Sequence, residues 1–158
     1  VETIVGGASS DIVTLGTQQT GTIIDLKGGS DSLTLSSNIN TVTVTNVETL
    51  IGGSTNDIVT LGTQMTGGVL DLVAGLDKVT LANTLNTVTI LNIETVVGGS
   101  TDDLVTLGGA FTGGRIDLMA GNDSLTLDTA GATVTITSTS PRSVTASMPK
   151  PSRRQRLR

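Results

Sequence analysis

Val47-Glu48-Thr49-Leu50-Ile51-Gly52-Gly53-Ser54-Thr55-Asn56-Asp57-Ile58-Val59-Thr60-Leu61 decides the fold, because nearly the same text stands 46 residues to either side. Upstream it reads Val1-Glu2-Thr3-Ile4-Val5-Gly6-Gly7-Ala8-Ser9-Ser10-Asp11-Ile12-Val13-Thr14-Leu15. Downstream it reads Ile93-Glu94-Thr95-Val96-Val97-Gly98-Gly99-Ser100-Thr101-Asp102-Asp103-Leu104-Val105-Thr106-Leu107. Working outward, 1–46, 47–92 and 93–138 align without a gap, and 20 of 46 positions are identical in all three. Such a period marks an array in which each unit completes its core only against its neighbours.

Within a unit, short β-branched and aliphatic runs alternate with Thr, Ser or Asp: Ile12–Leu15, Ile23–Leu26, Ser32–Leu35, Thr41–Val44 and Thr49–Ile51. Period two, with Gly, Asn and Ser at the boundaries, predicts strands and argues against helix. Gly6, Gly7, Gly16, Gly21, Gly28 and Gly29 fall where a sharp turn calls for positive φ. Strand centres about ten residues apart leave no room for crossover helices, and exact repetition favours stacking like on like. The expected fold is an all-β, right-handed parallel β-roll or β-helix solenoid. Two coils per unit would place Val13, Val59 and Val105, and likewise Leu15, Leu61 and Leu107, in internal columns. Thr14, Thr60 and Thr106 would then face water.

Composition narrows the chemistry. The chain has no Trp, Tyr, His or Cys, and Phe111 is its one aromatic residue. The common general base, the thiolate, the zinc ligands and the stacking platforms of nucleic-acid sites are therefore missing. All 14 acids lie in 1–138 against Lys27, Lys78 and Arg115, so the array carries −11 and suits cations, not nucleic acid. No apolar run approaches membrane-spanning length. Residues 139–158 hold Ser, Pro and six basic residues, and are expected to be a disordered basic tail outside the array.

Six turns end in an Asp that enters a strand: Asp11, Asp31, Asp57, Asp77, Asp103 and Asp123, spaced 20, 26, 20, 26 and 20 residues apart. Two coils per unit would put all six on one edge. The turn Ala120-Gly121-Asn122-Asp123-Ser124-Leu125-Thr126 resembles the hemolysin-type (RTX) calcium-binding repeat, G-G-x-G-x-D-x-U-x. That resemblance implies Ca²⁺ held by carboxylates and turn carbonyls of stacked coils, in a secreted or cell-surface bacterial protein. The carried-over ligands are the six Asp with Asn122, Gly29, Gly75 and Gly121. The chain departs from the pattern at Ser9, Thr55 and Thr101, where a left-handed Gly belongs, and at Leu26-Lys27, Leu72-Val73 and Leu118-Met119, where the opening Gly pair belongs.

Glu2, Glu48 and Glu94, and Asp25, Asp71 and Asp117, are expected on solvent faces. Every acid except Asp102 and Asp128 recurs in all three units, so no single distinctive site stands out and no enzyme is expected. Two functional readings remain. One is a calcium-binding structural repeat module. The other is a metal-independent solenoid acting as spacer, adhesin stalk or self-assembling surface-layer segment, with open coil ends available for self-association. Thr41-Val42-Thr43 and its two copies also resemble the Thr rows of ice-binding solenoids.

Overall fold

The computed structural model describes residues 1–127, 133–137 and 145–147, the last three through their backbone pairing. The first unit forms β1 (Thr3–Val5), β2 (Ile12–Thr14), β3 (Thr20–Asp25), β4 (Ser32–Thr34) and β5 (Asn40–Thr45). The second forms β6 (Thr49–Ile51), β7 (Asp57–Leu61), β8 (Thr66–Asp71), β9 (Lys78–Thr80) and β10 (Asn86–Leu91). The third forms β11 (Thr95–Val97), β12 (Asp103–Leu107), β13 (Thr112–Asp117), β14 (Ser124–Thr126) and β15 (Thr133–Thr137), followed by β16 (Thr145–Ser147). Odd strands build one eight-stranded sheet and even strands the other, and every pairing is parallel. The chain thus winds as a two-sheet β-solenoid. No helix among the described residues is long and apolar enough to cross a membrane.

Alternation puts one side of each strand inside. Thr22, Val42, Val59, Val79, Val96 and Ile116 stack across the first sheet. Leu33, Leu50, Leu70, Ile90 and Leu107 stack across the second, opposite them. All eleven are buried, so the two rows, aliphatic but for Thr22, close one core from β3 to β13. Thr14, Thr60 and Thr106 are exposed, as expected.

The winding differs from the expectation. A unit holds five strands, an odd number, and therefore two and a half coils. Each unit begins on the sheet opposite to its predecessor: β2 lies in the even sheet, β7 in the odd and β12 in the even. Val13 consequently stacks on Leu33, Val59 on Val42, and Val105 on Val88, and the proposed Val13–Val59–Val105 column does not exist. Leu61 likewise stacks on Val44 and Leu107 on Ile90. A single repeat recipe serves both sheets because both inner faces demand the same small aliphatic shapes.

Positive φ is confined to fewer glycines than expected. Gly21, Gly67 and Gly113 (φ 67°, 71° and 73°) each supply the extra residue of a β-bulge, and Gly29, Gly75 and Gly121 lie near 150°. Gly6 is instead required for contact: a Cβ there would come within 2.8 Å of the Leu26 carbonyl oxygen. The left-handed strain expected at Ser9, Thr55 and Thr101 falls elsewhere, on Lys27, Val73 and Met119 (φ 72°, 67° and 63°). In each case the Asp two residues earlier accepts the N–H of the strained residue.

Val73 is β-branched and half-exposed, so its left-handed backbone is strained with little packing in return. Val73→Gly is expected to raise stability by about 1 kcal/mol, seen as a melting point several degrees higher. An unchanged or lower melting point would show that the surrounding turn relieves the strain.

The expected disordered stretch from 139 lies mostly outside the described residues. Within it, Thr145–Ser147 pairs in parallel with β14 as β16.

Candidate functional site

The two-sheet winding creates two edges, and the strand-entry residues of successive coils stack along each. On the first edge the order is Asp11, Asp31, Glu48, Met65, Asn86, Asp103 and Asp123. On the second it is Gln19, Asn40, Asp57, Asp77, Glu94 and Phe111. The six aspartates therefore do not share one edge: four stand on the first, while Asp57 and Asp77 stand on the second.

All of these but Asp11, whose carboxylate stays within its own turn, bond the backbone of the coil before. On the second edge Asn40 Oδ1 accepts the N–H of Gln19 (3.1 Å), and Asp57 Oδ1 that of Asn40 (3.0 Å). Asp77 Oδ1 then accepts from Asp57 (2.7 Å), and Glu94 Oε2 from Asp77 (2.8 Å). On the first edge Asp31 Oδ1 accepts from Asp11 (2.7 Å) and Glu48 Oε2 from Asp31 (2.7 Å). After a break, Asn86 accepts from Met65 (3.2 Å), Asp103 from Asn86 (3.1 Å) and Asp123 from Asp103 (2.9 Å). The breaks follow the glutamates because the next residue on the edge, Met65 or Phe111, has no carboxyl or amide oxygen to accept with. The N–H of Glu48 turns back to the Asp31 carbonyl instead (3.2 Å).

These ladders explain the turn composition. A strand entering the next coil leaves one buried N–H outside the sheet register, and a short side chain with an sp² oxygen satisfies it. Glu48 and Glu94 are thus half-buried ladder members, not solvent-face residues as expected. Gln19, Asn40 and Asn86 were missed as members. The signal was present: in the first unit β1 to β4 follow directly on Glu2, Asp11, Gln19 and Asp31 and β5 begins on Asn40, and β6 and β11 follow Glu48 and Glu94.

Asp57 and Asp103 use their second oxygen too, accepting the N–H of Gly53 and Gly99 within their own turns, and Asp11 accepts that of Gly7 in the same way. Asp31, Asp77 and Asp123 do not, and their Oδ2 atoms are buried with no hydrogen-bond partner. Burial is the main reason the Asp77 carboxyl is pushed up to about 6; the charges of Asp57 and Glu94 add to it, against the bond from the Asp57 N–H. Burial, and then Asp103 and Asp102, raise the Asp123 carboxyl likewise. Asp25, by contrast, is lowered to about 2 by its bonds to Lys27 and Asn46. Its ion pair with Lys27 measures 2.6 Å, which places that cation at the rim and not within an Asp turn.

The other carried-over residues are positioned for close packing. Gly29, Gly75 and Gly121 combine positive φ with a tight approach to the preceding coil: a Cβ on Gly29 would meet the Ser10 nitrogen at 2.7 Å, and one on Gly121 the Thr101 backbone at the same distance. Asn122 is exposed, and its N–H donates to Asp102 Oδ1 (2.8 Å).

A calcium ion takes six to eight oxygens. Here each of the six aspartates accepts at least one backbone N–H, and Asp31, Asp77 and Asp123 retain one unbonded oxygen each, buried in the protein. Among the described residues no three His, Cys, Asp or Glu side chains gather to hold a metal. The donor set does not fit a calcium cage in this arrangement.

The Thr rows are interrupted as well. Thr43, Thr60 and Thr80 stack on the odd sheet, but the adjacent column reads Thr41, Ile58, Lys78, Thr95 and Arg115. No family model, no curated protein and no solved structure matches the chain.

Proposed function

We propose that this chain is a structural β-solenoid module, a rigid spacer whose coils are locked by carboxylate and carboxamide ladders without need of metal. The observation that carries the reading is the unbroken run from Gln19 to Glu94, four side-chain-to-backbone bonds through five successive coils. Two of the links, at Asp57 and Asp77, occupy an oxygen that a calcium-dependent turn would need as a free ligand. A bond from N–H to a carboxylate contributes about 1.5–3 kcal/mol, so protein atoms can hold the turns closed by themselves. A secreted or cell-surface setting is supported by the repeat resemblance alone.

Far-ultraviolet circular dichroism tests this. The β signal and the melting temperature are expected to be the same in EDTA and in millimolar Ca²⁺. Folding that begins only above a Ca²⁺ threshold would overturn the reading in favour of a calcium-binding repeat module.

A further inference from the structure

The units differ where one turn lies low between two taller ones. On the second edge the short Asn92–Glu94 turn sits between the Leu72–Asp77 turn and the Gly108–Phe111 turn, leaving a recess of about 350 Å³. One unit earlier, beside Asn46 and Val47, the space retained is about 10 Å³, room for about one water at most.

The sequence explains why one is filled and the other open. Thr63 and Gln64 occupy the earlier recess, and Thr63 Oγ1 accepts the N–H of Asn46 (3.1 Å). In the next unit those positions are Gly109 and Ala110, so the Asn92 N–H faces a residue with no hydroxyl to offer. The recess therefore lacks a hydroxyl at a defined place. Around that place stand the Glu94 carboxylate, whose Oε2 is committed to Asp77 while Oε1 lies outside the ladder, and the exposed Thr112. Val73, Ala74 and Ala110 supply the apolar wall.

We propose that this recess binds one sugar ring of a glycan, with a ligand hydroxyl taking the place that Thr63 Oγ1 holds in the preceding unit. A hydroxyl accepts from Asn92 N–H and can donate to Glu94, while the ring's C–H face covers the aliphatic wall. A cation would answer Glu94 and leave the Asn92 N–H unmatched; an anion would be repelled by Glu94 and by an array of net charge −11. A single ring in an open recess binds weakly, with a dissociation constant on the order of 1 mM.

The test is an amide-resolved NMR titration of the whole chain with the methyl glycosides of glucose, galactose and N-acetylglucosamine, each to ~50 mM. At least one should give saturable shifts at Asn92, Glu94, Ala110 and Thr112, with Asn46, Glu48 and Gln64 unmoved as the internal control. A Cβ on Gly109 would meet nothing within 4 Å, so Gly109→Thr fits; it should weaken binding about tenfold while raising the melting point. Ala110→Gln, filling the other vacated position, should weaken binding too. The proposal is overturned by no saturable shift with any of the three sugars, by equal shifts at both recesses, or by binding that survives both substitutions. None of these outcomes bears on whether the coils need metal.

Discussion

Asp57→Ala is expected to lower the unfolding free energy by about 3–5 kcal/mol, the largest loss for any single ladder residue, with Asp103→Ala close behind. Asp57 is fully buried. Its Oδ1 accepts both the N–H and the Nδ2–H of Asn40 (3.0 and 2.8 Å), and its Oδ2 accepts the Gly53 N–H (3.0 Å). Asp103 repeats the arrangement with Asn86 and Gly99. Truncation leaves the N–H groups of Asn40 and Gly53 dry, while Asn40 Nδ2 keeps the Ser36 and Asn38 carbonyls; each unsatisfied buried group costs about 1–3 kcal/mol. Against a total stability of about 5–15 kcal/mol, this approaches the limit of folding. Asp57→Asn should cost less, because Oδ1 survives while an amide NH₂ opposes the Gly53 N–H. Urea unfolding provides the measurement, with a midpoint lower by about 2 M at unchanged slope. A midpoint within experimental error of the parent would mean that the ladder follows from the winding and does not hold it.

Stability should fall, not rise, as pH increases from 4 to 7. Asp77 ionises near 6 in the folded chain against 3.8 for the free side chain. Between those values the folded state holds the proton and the unfolded state has released it, so raising pH favours unfolding. The full effect is about 3 kcal/mol, of which about 2 kcal/mol falls between pH 4.5 and 7.5. Asp123, raised for the same cause, acts in the same direction. Asp25 acts oppositely but lower on the scale: its contribution is complete above about 4 and lost as pH falls through about 2. The stability maximum should therefore lie near pH 4, unusually acidic for a folded domain. Asp77→Asn retains the Oδ1 acceptor and should remove the Asp77 share of the slope. Urea midpoints at pH 4.5, 6.0 and 7.5 decide the matter; values that climb with pH would mean that Asp77 is solvated as an ordinary carboxylate.

The strands were legible residue by residue. All five runs read from Ile12 to Ile51 became β2 to β6, because alternation is a local property and each strand tests it separately. Asp11, Asp31, Asp57, Asp77, Asp103 and Asp123 were legible as turn residues. Their chemistry was not, since an Asp that closes a turn on its neighbour's N–H and one that waits for a cation occupy the same place in a Gly-rich string. The partners that the structure gives them lie 17, 20 or 21 residues away, in the adjacent coil. Glu48 was misread for the same reason. A solvent face is inferred from its own strand, whereas its carboxylate reaches across to the Asp31 N–H.

The amino-acid order alone determined the repeat, the β class, the aliphatic interior and the absence of His- or Cys-based chemistry, because these depend on residue type and short-range alternation. Tertiary structure alone decided that 46 residues make two and a half windings, so that equivalent residues of successive units face opposite ways. The cause is geometric. Two inner faces with the same appetite for small aliphatics accept a strand equally, and the combined length of five turns fixes the edge on which the next unit starts.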